Sequence, residues 1–130
     1  MVKNRRKKRR YKRGVYLSTK GGECSYRSGW ELAYLFWLDA NARVKSFEYE
    51  KVVIPYVSNV KTGRVRKYYP DVLVTYFDGS RHLVEIKPKK RLIQTMVKKK
   101  LAAAQQWCLD NGVTLEIVTE VELKDLGILS

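Results

Sequence analysis

Two short segments rich in apolar and β-branched residues flank a polar turn in the middle of the chain, and this pattern predicts a β-hairpin. Its strands are Asp71–Phe77 and Arg81–Lys87, joined by Asp78-Gly79-Ser80. An Asp-Gly pair between apolar segments is a strong hairpin signal, because glycine tolerates the positive φ that tight turns require. Folding about this turn would bring Asp71 level with the segment Glu85–Lys87.

Two longer segments carry apolar residues at helical spacing. The first, Ser25–Asn41, has Ser28 as its predicted N-cap and repeats apolar residues at Trp30, Ala33, Tyr34, Trp37 and Leu38. Further apolar residues surround that stripe, so we expect the helix to be largely buried. The second helix, about Leu92–Asn111, is closed by Gly112 and has a predicted buried stripe of Ile93, Val97, Leu101, Ala104 and Cys108.

The remaining pattern predicts strands and short connections around these elements. Val44–Val57 is predicted as one extended strand, at a sheet edge because of Pro55, and Ser58–Arg64 is predicted as a hairpin tip. Val113–Thr119 is a predicted strand, and Glu120–Leu126 a predicted closing helix. This order favours an α/β fold with a mixed central sheet flanked by helices.

Composition indicates one globular domain of 130 residues with a strongly basic character. The formal net charge is +14, and nine positive residues lie between Lys3 and Arg13 with no acid among them. We expect residues 1–20 to form a flexible basic arm and residues 21–130 to form the folded domain. Such an arm attracts polyanions, and a localisation signal or a solubilising tail are its alternatives.

Several classes of protein are disfavoured by the sequence. It contains no apolar segment long enough to span a membrane, and no apolar segment follows the charged start as in a secretory signal. Cys24 and Cys108 are too few and too far apart for a zinc motif, and we expect Cys108 to be a buried thiol. His82, the single histidine, is predicted to be a cross-strand surface residue beside the turn.

The open end of the predicted hairpin gathers two carboxylates and one ammonium group. Asp71 and Glu85 would supply hard oxygen ligands, which suit Mg²⁺ together with water and phosphate oxygens. The carbonyl of Ile86 is a candidate further ligand, and Lys87 would position an attacking water and offset developing negative charge. Carboxylates that merely pair with lysines are the competing interpretation.

The pattern Pro70-Asp71 … Glu85-Ile86-Lys87 resembles the motif of the PD-(D/E)XK nucleases. The resemblance extends from about residue 26 to residue 126. It implies a restriction-endonuclease-like αβββαβ core and a metal-dependent endodeoxyribonuclease that uses Mg²⁺, with Mn²⁺ able to substitute.

Two further site residues come from this resemblance. Glu31, in the first turn of the predicted helix, would face the metal, and its alternative role is a capping box with Ser28. Gln105 would lie near the site, and its alternative is an ordinary packed or surface amide. The catalytic set implied is Glu31, Asp71, Glu85, Lys87 and Gln105.

More narrowly, the blocks YRSGWELAYLFWLDAN, VVIPYV, RKYYPDVLV, VEIKPKK and TEVELKDLGI resemble the head-completion nucleases of T-even-type phages. TnsA-type N-terminal endonuclease domains and phage junction-resolving endonucleases are more distant likenesses. The resemblance implies a phage nuclease that processes DNA ends in the host cytoplasm during assembly, with association to the virion, portal or neck proteins and a homodimer as further expectations. Transposon-end cleavage, junction resolution or a catalytically silent DNA-binding virion protein are the alternatives.

Basic residues outside the motif are predicted to contact DNA phosphates. The basic loop Ser58–Arg64 is equally consistent with an ordinary solvated turn. The candidates are Lys3, Arg5, Arg6, Lys7, Lys8, Arg9, Arg10, Lys12, Arg13, Lys61, Arg64, Arg66, Lys67, Lys89, Lys90 and Lys98.

Overall fold

The structure, a computed structural model, describes residues 13–129 of the chain. The strands are β1 (Gly14–Ser18), β2 (Gly22–Tyr26), β3 (Val44–Tyr49), β4 (Ile54–Asn59), β5 (Arg64–Tyr68), β6 (Val72–Tyr76), β7 (Arg81–Ile86) and β8 (Thr114–Val118). The helices are α1 (Gly29–Ala40), α2 (Thr95–Asn111) and α3 (Glu120–Asp125), and a short 3₁₀ helix spans Lys89–Ile93.

The central sheet has the strand order β3-β6-β7-β8. β6 is antiparallel to both of its neighbours, β3 and β7, whereas β8 runs parallel to β7. The predicted mixed sheet flanked by helices is therefore confirmed, and so is the central hairpin. Two further two-stranded sheets, β1-β2 and β4-β5, accompany this sheet.

Side chains of β6 alternate between two hydrophobic cores, as the period of a strand requires. Val72 and Val74 pack into a core with α1, whereas Leu73 packs into a second core with α2. In β7, Val84 packs into the core with α1 and Leu83 packs into the core with α2. Burial on both faces therefore fixes the register of the central hairpin, because a shift of one residue would exchange the two faces.

The predicted single strand Val44–Val57 is wrong, because the chain leaves the sheet after Tyr49. Glu50 has a φ of 53°, a left-handed conformation that a strand cannot continue. Its N–H donates to the carbonyl of Asp71 at 2.9 Å, which holds the bend in place. The chain then enters β4, which pairs with β5 in a separate hairpin, so the predicted hairpin tip is confirmed.

Both long helices begin later than predicted. Ser28 is confirmed as the N-cap of α1, since its Oγ accepts from the N–H of Glu31 at 3.1 Å, and the residues before it form β2. Phe36 is 50% exposed, so α1 is not buried on every side. Gln94 has an extended backbone between the 3₁₀ helix and α2, which leaves Ile93 exposed.

The rest of the predicted second helix agrees with the structure. Val97, Ala104 and Cys108 are buried and Leu101 is half-buried. Gly112 has a φ of 65° and ends α2 as a left-handed cap.

The strand β1 lies within residues 1–20, the segment predicted as a basic arm. The β1-β2 hairpin is anchored to the end of α1 by a polar network. Ser18 Oγ donates to Asp39 at 2.6 Å, and Lys20 Nζ donates to the carbonyl oxygens of Leu38 and Asn41 at 3.1 and 2.6 Å. The predicted DNA contacts from Lys3 to Lys12 lie outside the described residues.

Three smaller expectations can also be compared with the structure. Cys24 and Cys108 are buried free thiols, as expected for Cys108. His82 is a half-buried cross-strand residue whose Nδ1 lies 3.0 Å from Glu116 Oε1, so it is less exposed than a surface residue. Within residues 13–129 no helix is long and apolar enough to cross a membrane.

Candidate active site

Three strands of the central sheet bring acidic residues together at one end of the sheet. The register pairs Tyr49 with Val72 and Val72 with Val84. The residues just beyond these positions are Glu50 after β3, Asp71 before β6 and Glu85 near the end of β7. The first turn of α1 adds Glu31 to the same region.

Asp71 lies buried opposite the segment predicted to face it. The residue is only 7% exposed, and its Oδ2 accepts from the backbone N–H of Ile86 at 2.7 Å. Burial, reinforced by the negative charge of Glu85, raises the pKa of Asp71 well above its ordinary value. A cation bound beside Asp71 would therefore offset the free-energy cost of ionising this carboxyl group.

Glu85 is also buried, at 6% exposure, and both of its oxygens have neighbours. Oε1 accepts from the hydroxyl of Tyr68 at 2.6 Å, and Oε2 lies 3.4 Å from Lys87 Nζ. The Asp71, Glu85 and Lys87 side chains thus line one cleft, with a lysine–carboxylate pair inside it.

Glu31 combines features of both interpretations of its role. Its Oε1 accepts from the Tyr49 hydroxyl at 2.6 Å and from the backbone N–H of Arg27 at 3.2 Å. A capping box would return that bond to the N–H of Ser28 instead. Glu31 therefore supports the helix start and also faces the acidic cluster.

Glu50 is a member of the site that sequence reasoning missed. Ligand oxygens of Glu31, Glu50 and Asp71 all lie within 4.8 Å of one another. Burial raises the pKa of Glu50, and its ion pair with Arg27 opposes that shift. No local pattern reveals Glu50, because a left-handed bend and the long-range pairing of β3 with β6 bring it to Asp71.

Glu31, Asp71 and Glu85 line a cleft of about 650 Å³ whose other walls are mainly basic and aromatic, and Glu50 adjoins it through its cluster with Glu31 and Asp71. Glu85 lines this cleft outside the three-carboxylate cluster, and Ile86 lines it as well. The cationic residues of the wall are Arg27, Lys67, Lys87, Arg91 and Lys100, and the aromatic ones are Trp30, Tyr68 and Tyr69. Carboxylates that share a cleft with these five cations of residues 13–129 suit a metal and a polyanionic substrate together.

Gln105 is not brought to this cleft by the described part of the chain. It is exposed on α2, one residue after the buried Ala104 and therefore about 100° around the helix from the buried stripe. Lys100 occupies the cleft instead, with its Nζ 5.8 Å from the centre of the Tyr68 ring. Lys100 follows Val97 by three residues and precedes Ala104 by four, so helical spacing places it on the same face as these two buried residues. That spacing could have identified Lys100 from the sequence.

The predicted phosphate contacts are placed unevenly around the cleft. Lys67 lines it, whereas the other candidates within residues 13–129 are exposed outside the lining. Those candidates are Arg13, Lys61, Arg64, Arg66, Lys89, Lys90 and Lys98. Arg27, Arg91 and Lys100 also line the cleft as cations, although they were not among the predicted phosphate contacts.

A mixed sheet with an Asp before one strand, a Glu-Ile-Lys segment at the end of its neighbour and a helical Glu defines a PD-(D/E)XK-type nuclease. Comparison with known proteins agrees with that class. Residues 41–120 match the family described as "TnsA-like endonuclease N terminal". The chain belongs to this endonuclease family. It is also 32% identical over 125 residues to the head completion nuclease of Enterobacteria phage T4, an alignment that covers 79% of this chain and 83% of that protein.

Proposed function

We propose that this protein is a Mg²⁺-dependent DNA endonuclease that processes DNA ends during phage head completion. The observation that carries the proposal is the cleft in which buried acids meet a wall of cations. Family membership supports the nuclease class, and the similarity to the phage head completion nuclease supports the biological setting.

The donor set of the cleft fits a hard divalent cation. Glu31, Glu50 and Asp71 offer carboxylate oxygens close to one another, with Glu85 and the carbonyl of Ile86 as further proposed ligands. Oxygen ligands of this kind are those that Mg²⁺ prefers, and Mn²⁺ would substitute. When bound, such an ion supplies the positive charge that stabilises the transition state of phosphodiester hydrolysis.

Lys87 is the proposed catalytic lysine of the chain. Its Nζ lies beside Glu85 in the cleft, where it would orient a water for in-line attack and offset the charge that develops on the phosphate. Lys67, Arg91 and Lys100 would hold the flanking phosphates. The catalytic set proposed from the structure is therefore Glu31, Asp71, Glu85 and Lys87, with Glu50 added and Gln105 removed.

The proposed setting is the host cell during virion assembly, with DNA as substrate and head or neck proteins as partners. Transposon-end cleavage and junction resolution are alternative functions that would use the same site chemistry on a different form of DNA. A catalytically silent virion component is the alternative from a different class, and the presence of Glu31, Asp71, Glu85 and Lys87 in one cleft favours the enzyme.

A substrate panel tests the proposal. Full-length protein should cleave linear, nicked, Y-shaped or four-way DNA with Mg²⁺ or Mn²⁺ and show no cleavage in EDTA. The relative rates on the four forms distinguish end processing from junction resolution. Binding without cleavage of any form in either metal would overturn the enzymatic proposal and support the silent binding protein.

A further inference from the structure

Two buried tyrosines each donate a hydrogen bond to one of the site carboxylates. The Tyr49 hydroxyl donates to Glu31 Oε1 and the Tyr68 hydroxyl donates to Glu85 Oε1, each at 2.6 Å. The sequence motif includes neither tyrosine. Their hydroxyl groups nevertheless contact the two glutamates whose orientation decides which oxygen faces the cleft.

A tyrosine hydroxyl differs from a lysine or arginine as a partner for a carboxylate. It fixes one oxygen by a directional bond and places no formal positive charge beside the acid to compete with a bound cation. Tyr49 also lies 3.0 Å from the carbonyl oxygen of Ser25, an alternative acceptor for its hydroxyl. Glu85 keeps Oε2 near Lys87, while Oε1 is held by the tyrosine.

The two rings are fixed by different parts of the protein. Tyr49 belongs to the core shared with α1, whereas Tyr68 belongs to the core shared with α2. The orientation of each glutamate is therefore tied to a packed core rather than to a mobile surface side chain.

We propose that Tyr49 and Tyr68 are positioning residues that hold Glu31 and Glu85 in the orientation required to bind the divalent cation. This inference rests on the proposed function. It predicts that the two tyrosines act on metal affinity through their glutamates, because hydrogen-bond partners of metal ligands fix ligand orientation.

The variants Tyr49→Phe and Tyr68→Phe remove only the hydroxyl and keep the ring. Tyr56→Phe is the matched control, since Tyr56 is similarly buried in the second core and its hydroxyl contacts Met96 Sδ at 3.5 Å, outside the cleft. Mn²⁺ binding to full-length protein without DNA should be measured by calorimetry, and the melting temperature in EDTA should be measured in parallel. We expect each site variant to weaken Mn²⁺ binding by about 10- to 100-fold and Tyr56→Phe to leave it unchanged.

A double mutant separates positioning from a general structural effect. If Tyr68 acts through Glu85, Tyr68→Phe combined with Glu85→Ala should bind Mn²⁺ no more weakly than Glu85→Ala alone. Mn²⁺ affinities of Tyr49→Phe and Tyr68→Phe equal to that of Tyr56→Phe would overturn the inference. A Glu85→Ala protein that binds Mn²⁺ like the wild type would instead contradict the proposed metal site itself.

Discussion

Asp71 carries a carboxyl group that burial and a neighbouring acid both make difficult to ionise. Its pKa in the folded protein lies above the ordinary value of 3.8. Between these two pKa values the folded protein binds more protons than the unfolded chain. The contribution of Asp71 to the stability of the fold is therefore fully present below pH 3.8, and it is lost as pH rises through the folded-state pKa.

Replacing Asp71 with asparagine should change the pH dependence of stability. In EDTA, Asp71→Asn should lose less stability than the wild type as pH rises above 3.8, because the asparagine has no proton to release. Asparagine can still accept the hydrogen bond from Ile86. Melting temperatures across pH provide the measurement.

Asp78→Asn is the control, because the pKa of Asp78 is shifted in the opposite direction to that of Asp71. Hydrogen bonds from Ser80 lower the pKa of Asp78, so its stabilising contribution is lost as pH falls. Parallel pH profiles for the wild type and Asp71→Asn would show that the ionisation of Asp71 does not affect stability.

At the level of single residues, what the sequence could predict was local. Asp71 and Glu85 are one hairpin apart, so turn chemistry and alternation were enough to place them opposite each other. Glu50 and Tyr68 reach the site through long-range pairing and core packing, which have no signature in the residues around them. Gln105 was expected beside the buried stripe of α2 and near the site, but it is exposed and does not line the cleft, whereas Lys100 does.

Among the elements, the β4-β5 hairpin is the one best placed to extend the basic surface beyond the cleft. Its tip and second strand expose Lys61, Arg64 and Arg66, while Lys67 lines the cleft. Lys99 on α2 donates to the carbonyl oxygen of Ser58 at 2.9 Å, which ties this hairpin to the helix. The hairpin therefore projects its charge from a fixed base.

Replacing Lys61 and Arg64 with alanine should weaken DNA binding without changing the cleavage rate at saturating DNA. If both contact phosphates, the slope of log K against log salt should become shallower by about 0.9 per lost contact on duplex DNA. Binding measured over a salt series tests this. Lys45→Ala is the control, because exposed Lys45 lies toward the opposite end of β3 from Glu50. The same slope for the double variant and for Lys45→Ala would exclude the hairpin as a DNA contact.

Element types were more predictable than element boundaries. Ser28 and Gly112 marked helix ends correctly because capping is a local interaction. The division of Val44–Val57 into two strands depended on one non-glycine residue in a left-handed conformation, which the β-branched sequence around it does not suggest. The β1-β2 hairpin was hidden by its proximity to the basic arm.

At the scale of the whole molecule, the two cores and the candidate active site form one arrangement. One core fixes α1 and Tyr49, the other fixes α2 and Tyr68, and the sheet between them ends at the acids. The full chain carries a net charge of +14, and cationic side chains of the described residues line the cleft around that small acidic centre. A polyanion would therefore be attracted to the protein, while a cation would be attracted to the centre of the cleft.

The most direct test of the proposed active site compares cleavage and binding in Asp71→Ala and Glu85→Ala. Each change removes a proposed metal ligand but no cation, so DNA affinity should be retained or slightly increased while Mg²⁺-dependent cleavage falls by about 100-fold or more. Glu48→Ala, an exposed acid of β3, should cleave like the wild type. Folding of each variant is checked by its melting temperature. Wild-type cleavage rates in Asp71→Ala and Glu85→Ala would contradict the assignment of the cleft as the active site.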